Sequence, residues 1–235
     1  MNATLVRAFL RQRFTSPMRL AIAAMFTFFP LAGLALTGQL AMVQGIAGPL
    51  AILFAAGAIG QDVSSGTLQL LLARPVTRPA YLVSRWLGAS LAAYGLAAAT
   101  ILLGAGVLVL RGTPAAPLEL ARVLLEAASS VTGHAAVMIM LSTLVGGLGD
   151  LGLYALTLFL SQMAAAIGAF RQWTWLQRAS AEVQGVLGPE VSLAGLAQGL
   201  PPSWFAVVSW ASTITLVLAV GLARLNRREL SYASG

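Results

Sequence analysis

Six stretches of about twenty predominantly apolar residues follow one another along the chain, and this constrains the fold more than any other feature. We read them as Leu20 to Gly38, Ala41 to Gly60, Trp86 to Leu110, Ala127 to Leu148, Leu151 to Phe170 and Trp204 to Ala223. A hydrocarbon layer ~30 Å thick offers backbone N–H and C=O groups no water, so each stretch crosses it as a helix that satisfies them internally. The expected fold is therefore an all-α membrane protein, one transmembrane domain over residues 1–235. Composition agrees: 58% of residues are hydrophobic and 9% charged, against about a quarter charged in a soluble domain.

The charges between the stretches predict their orientation. All 14 basic residues are arginine. With both termini cytoplasmic, Arg7, Arg11, Arg13, Arg19, Arg74, Arg78, Arg85, Arg224, Arg227 and Arg228 lie inside; Arg111, Arg122, Arg171 and Arg178 lie outside. Ten against four satisfies the positive-inside rule for a multi-pass protein of a bacterial or archaeal plasma membrane. Arginines scattered between hydrophobic spans suit anionic headgroups rather than nucleic acid. The N-terminus is not expected to be a cleavable secretion signal, because Arg7, Arg11 and Arg13 fall where its apolar core should be.

Absent residue types exclude several chemistries. Without lysine there is no phosphate-binding P-loop, so the chain cannot hydrolyse nucleotide by that route. Without cysteine and with one histidine, His134, disulfides, thiolate chemistry and multi-histidine metal sites fall away, and no metal residues are expected. There is no His-Glu-x-x-His helix and no Gly-x-Ser-x-Gly elbow.

Thr4 to Phe14 places Leu5, Val6, Phe9, Leu10 and Phe14 within half a helical wheel, with Arg7 and Arg11 beyond it. An amphipathic interfacial helix follows, serving as a basic anchor or a partner contact; Arg13, inside the apolar arc, should snorkel to water. Ser16 and Pro17 then cap span one. Ala89, Ala93 and Ala97, and Ala51 with Ala55, recur every four residues as close-packing stripes. Between spans five and six, Val183 to Leu200 is apolar but short and carries Pro189 and Glu190; a pair of short outer helices, on or dipping into the outer leaflet, is expected there. Trp173, Trp175 and Trp204 flank it as interfacial indoles.

The loop between spans two and three, QDVSSGTLQLLLARPVTRPAYLVSRW from Gln61 to Trp86, is built as a corner. Gly66 permits a turn before Thr67 to Leu72, whose leucines at 68, 71 and 72 share a helical face. The residue before Pro75 is pushed out of helical geometry, and Thr77 or Arg78 can cap span three with Pro79 in its first turn. Such a rigid corner can carry force between a soluble partner and two membrane helices.

Asp62, then Gly66-Thr67-Leu68, then Leu70-Leu71-Leu72-Ala73-Arg74-Pro75-Val76-Thr77-Arg78, resembles the cytoplasmic loop of the type-2 ABC exporter permease family. Leu225-Asn226-Arg227-Arg228-Glu229-Leu230 is similar to the way such permeases leave their last span. The resemblance implies a membrane subunit that pairs with a second permease chain, as homodimer or heterodimer, and with two separate ATPase subunits. ATP and Mg would be bound there, and no cofactor by this chain. It implies that the short coupling helix of this loop docks on the ATPase and transmits its closure, carried by Asp62, Gly66, Thr67, Leu68, Leu71, Leu72, Arg74, Pro75 and Arg78. Asp62 stands where glutamate is common and Arg85 where lysine is frequent.

Inside the membrane, ionisable groups are costly and so mark candidates. Arg122, Glu126, Ser130 and His134 are spaced by four and align along one face of span four, with Glu119 preceding them. Glu126, Ser130 and His134 either line the substrate path, or form a boundary ion pair and a satisfied helix-to-helix bond. Asp150 caps span five or contacts a partner. Two other functions stay open: a stand-alone intramembrane hydrolase, with a span serine and His134 as its dyad, and a transporter not driven by ATP, for which no mid-span acid or broken helix is evident.

Overall fold

The computed structural model describes residues 3–72, 76–195, 201 and 203–227. Among them every regular element is helical: α1 (Ala3–Phe14), α2 (Pro17–Thr37), a 3-10 segment (Leu40–Ile46) that continues as α3 (Ala47–Ala55), α4 (Gly60–Ser64), α5 (Thr67–Leu72), α6 (Arg78–Leu110), α7 (Pro117–Leu144), α8 (Gly149–Phe170), α9 (Thr174–Leu187) and α10 (Trp204–Arg227). Six are long and apolar enough to cross a membrane: α2, the composite Leu40–Ser64, α6, α7, α8 and α10. An even number of crossings puts α1 and the end of α10 on one side, here called the terminal end; the opposite side is the far end.

Spans three and four begin earlier than hydropathy places them, at Arg78 rather than Trp86 and at Pro117 rather than Ala127, and span four ends at Leu144 rather than Leu148. Hydropathy marks only what lipid touches, whereas a helix runs from cap to cap. The Thr77 hydroxyl accepts from the Ala80 N–H at 3.4 Å, with Pro79 in the first turn of α6. At 33 residues, α6 is about 50 Å long, well beyond a ~30 Å layer. Its first two turns, which carry Arg78 and Arg85, form one side of the corner.

Spans two and four form the centre. In their most apolar windows 67% and 61% of residues are buried, against 11%, 17% and 17% in spans one, five and six. Ala89, Ala93 and Ala97 on α6, and Ala51 and Ala55 on α3, are completely buried, and α3 packs on both α6 and α7. Small side chains bring these backbones together where lipid offers no hydrophobic drive.

Span two is not the continuous helix its sequence predicts. α3 stops at Ala55, Gly57 takes a left-handed φ of +66°, and the helix resumes at Gly60. A Cβ on Gly57 would lie 2.9 Å from both Gln61 and Leu148, so only glycine fits. Polar backbone freed in an apolar setting needs protein partners, and each freed group named here has one. Asp150 Oδ2 accepts from the Gly57 N–H at 2.6 Å. Ser142 Oγ accepts from Ile59 at 3.0 Å and Gly60 at 2.8 Å. Arg19 donates to the Ala56 carbonyl at 3.3 Å, and Gly147 donates to that of Gly60 at 2.9 Å. Asp150 also accepts from Leu151 in the first turn of α8, so it both caps that turn and pins the break.

α1 packs across α6. Phe9, 1% exposed, sits in a notch at Gly88, where a Cβ would come within 2.6 Å of the ring. Arg13 does not snorkel. It is buried, with its guanidinium 4.6 Å from the Phe9 ring centre and its Nε and Nη1 without a hydrogen-bond partner. Burial, with Arg19 and Arg85 close by, pushes its pKa down to about 9, so it is still charged at neutral pH.

Where a pair of short helices is expected over 183–200, the described residues hold one α-helix, and 196–200 lie outside them. One helix, α9, starts at Thr174 and folds back along α8, where Gln177 donates to the Gly168 carbonyl at 2.9 Å and Gln162 meets Gln184 at 3.4 Å. Gly188 to Leu193 then returns in non-helical conformation along α7. Together they make a hairpin that folds back into the bundle, helix inward along α8 and chain outward along α7. Trp173, Trp175 and Trp204 are exposed near its mouth.

Candidate functional site

At the terminal end, α4, α5 and the first turns of α6 build the corner. Gly66, at φ +72°, turns the chain between α4 and α5. Asp62 projects inward and is 5% exposed: its Oδ2 accepts from the Tyr81 hydroxyl at 2.6 Å and from Arg85 Nη2. The Arg85 guanidinium lies 5.0 Å from the Phe9 ring centre. One carboxylate thus joins α4 to α6, and one phenyl ring joins α1 to the same arginine. Tyr81 and Gly88 were not singled out in sequence, and Phe9 only as part of the apolar face of α1, although a tyrosine and an arginine four apart on one helix face, behind an acid, was the available signal.

The other corner residues divide by exposure. Leu68 is buried and Leu71 half-buried, anchoring α5, while Thr67 and Leu70 face outward, Leu70 at 74% exposure. Leu72 ends α5. Arg78 donates to the carbonyls of Leu225 at 3.0 Å and Asn226 at 2.7 Å, fastening the corner to the end of α10. Arg74 and Pro75, like Arg228 to Leu230, lie outside the described residues.

The second constellation lies in the far half, on α7. Arg122 donates to Glu119 at 2.6 and 2.9 Å and to Glu126 Oε2 at 2.7 Å. Gln44 donates to the same Oε2 at 3.1 Å, and Oε1 accepts the Leu193 N–H at 2.8 Å. Ser129 Oγ accepts the Val191 N–H at 3.2 Å. The Pro189 carbonyl fills the space over Gly133, where an added Cβ would fall 1.9 Å from its oxygen. Glu126 and Ser129 therefore stand in for the sheet or helix that the returning segment lacks. Alternate residues Leu187, Pro189, Val191 and Leu193 are buried, the period of an extended chain. Indoles brace α7 from both sides: Trp86 donates to the Thr132 carbonyl and Trp210 to that of Ser129.

His134 closes this face at mid-depth. Its Nδ1 lies 2.8 Å from the Ser130 carbonyl, so Nδ1 carries the proton and donates, leaving Nε2 of the neutral ring as an acceptor. Ser130 Oγ is 3.3 Å from the same Nδ1. The nitrogen nearest the hydroxyl is thus already a donor to backbone, and is not poised to remove a serine proton. The stripe adjoins a cavity of about 360 Å³, whose wall includes Gln44, Gly48, Glu126, Ser130, His134 and Glu190. Sequence spacing aligned Glu126, Ser130 and His134; Gln44 and Glu190 come from other segments.

A family model described as ABC-2 family transporter protein matches residues 4–230, from α1 to just past α10. No curated protein matches the chain.

Proposed function

The chain belongs to the ABC-2 transporter family, and on that premise we propose that it is the membrane subunit of an ATP-driven exporter that receives its power stroke at the 61–78 corner. ATP is bound and hydrolysed on separate ABC ATPase subunits, two per transporter, and a second permease chain completes the path. The terminal end, with both termini, is cytoplasmic in a plasma membrane, and the Glu126, Ser130 and His134 face lines the outer part of the path.

The observation that carries this reading is the latch of Asp62 onto Tyr81 and Arg85. A push on α5 is delivered through the buried carboxylate to the start of α6, and through α4 to the break at Gly57. Asp62 and Arg85 act here by holding the corner's angle, while Thr67 and Leu70 face the motor, with Arg74 and Pro75 as further contacts. Arg78 is occupied by the carbonyls of α10, so its replacement would loosen the fold as well as any docking; Leu70 is the cleaner probe.

Purification of the tagged chain from its own membranes should bring down an ABC ATPase, and Leu70→Asp should cut that recovery about tenfold or more, as loss of a buried interface anchor does. The thermal midpoint of the variant should match wild type. An ATPase recovered equally well with Leu70→Asp, or none recovered with wild type, overturns the reading.

A further inference from the structure

The polar cavity beside α7 has an apolar neighbour. A second cavity, about 440 Å³, lies between α2 and the start of span two, and the two share Gly45 and Pro49. The second is apolar: Met25, Phe26, Phe29, Pro30, Met42 and Ile46 line it. A polar compartment and an apolar trough that meet at a common edge have the shape of a head site and a tail site.

The chemistry of the head site selects its ligand. No arginine lines it. Arg122, the cation nearest in sequence, is committed to Glu119 and Glu126. Glu190 lines it, exposed, and among the described residues no cation pairs with that carboxylate. His134 offers Nε2 as an acceptor, and Gln44, whose amide nitrogen is bonded to Glu126, has its oxygen left as another. Acceptors and one unpaired negative charge, in a chain whose formal charge is +7, call for a ligand head that is a donor and a cation. Each such bond is charge-assisted.

We propose that the two cavities form one binding site for an amphiphile with an ammonium head, the head held by Glu190, His134 and Gln44 and the hydrocarbon tail laid against Phe26, Phe29 and Met42. This deepens the substrate-path reading of the α7 face and rests on it. The same chemistry has two sources, a bilayer lipid whose headgroup ends in an amine and a separate cationic amphiphile.

The probe is radiolabelled dodecylammonium, titrated onto the full chain in phosphatidylcholine nanodiscs, with empty nanodiscs subtracted. Saturable binding is expected, with competition by unlabelled dodecylammonium but by neither dodecanoate, which has the wrong charge, nor butylammonium, which lacks the tail. Glu190→Gln should weaken binding roughly tenfold, the effect of losing one charge-assisted hydrogen bond. Gly45→Leu should weaken it comparably by filling the shared edge. Neither change threatens the fold, since Glu190 is exposed and a Cβ on Gly45 meets no atom within 4 Å.

Dodecanoate competing as well as the amine, or both variants binding like wild type, overturns the proposal. Displacement by phosphatidylethanolamine identifies the bilayer as the source and failure to displace identifies a separate amphiphile; both uphold the site. The assay needs no ATPase, so it stands or falls apart from the co-purification test.

Discussion

Asp62 is the residue on which the corner turns. Its carboxylate and the Arg85 guanidinium are 7% and 10% exposed at their side chains, so each depends on the other for solvation. Removing one partner of such a pair costs about 3–5 kcal/mol, because the other is left buried and uncompensated; replacing both by apolar groups costs much less. Asp62→Asn should therefore lower the thermal midpoint sharply, and Asp62→Leu combined with Arg85→Met should recover most of the loss. Equal midpoints for the single and the double change would refute a buried pair. Arg13 is the contrasting case, a buried guanidinium over Phe9 with two nitrogens unpaired.

At the scale of elements, the break in span two divides it into a membrane half, α3, and a corner half, α4. The amides of Gly57, Ile59 and Gly60 donate to side chains of two other helices rather than to carbonyls of their own turns. Losing a buried acceptor costs about 1–3 kcal/mol, or roughly tenfold and upward in local opening. Hydrogen exchange of peptides spanning 55–61 should accordingly quicken by that factor in Ser142→Ala, through Ile59 and Gly60, and in Asp150→Ala, through Gly57. Unchanged protection in both would show that the break is rigid without them. The folded-back hairpin before span six follows the same rule. Glu126 and Ser129 each serve the returning segment first, which is why an acid and a serine three apart on α7 belong to the architecture as well as to the cavity.

Over the whole molecule, charge and burial divide the chain consistently. Among the described residues, Arg7, Arg11, Arg13, Arg19, Arg78, Arg85, Arg224 and Arg227 belong to the terminal half, and Arg111, Arg122, Arg171 and Arg178 to the far half. This asymmetry supports the proposal that the terminal end is cytoplasmic. The chain has no cysteine, so single cysteines report cleanly. Thr113→Cys should react with an impermeant maleimide in intact cells, and Gln69→Cys only after permeabilisation. The opposite pattern would turn the molecule over and remove the corner from any cytoplasmic motor.

The sequence by itself determined the all-helical membrane class, the six crossings and the corner after span two. Each depends on local quantities: twenty apolar residues in a row, alanines every fourth place, a glycine turn and a proline start. Only the tertiary structure decided that span two breaks at Gly57, that the chain before span six dips inward and returns along α7, and that Asp62 faces its own helices. Gly57 and Asp150 are 93 residues apart, and Leu193 and Glu126 are 67 apart. An irregular backbone in an apolar medium survives only where distant side chains supply its hydrogen bonds, and no local pattern in a sequence records which side chains those will be.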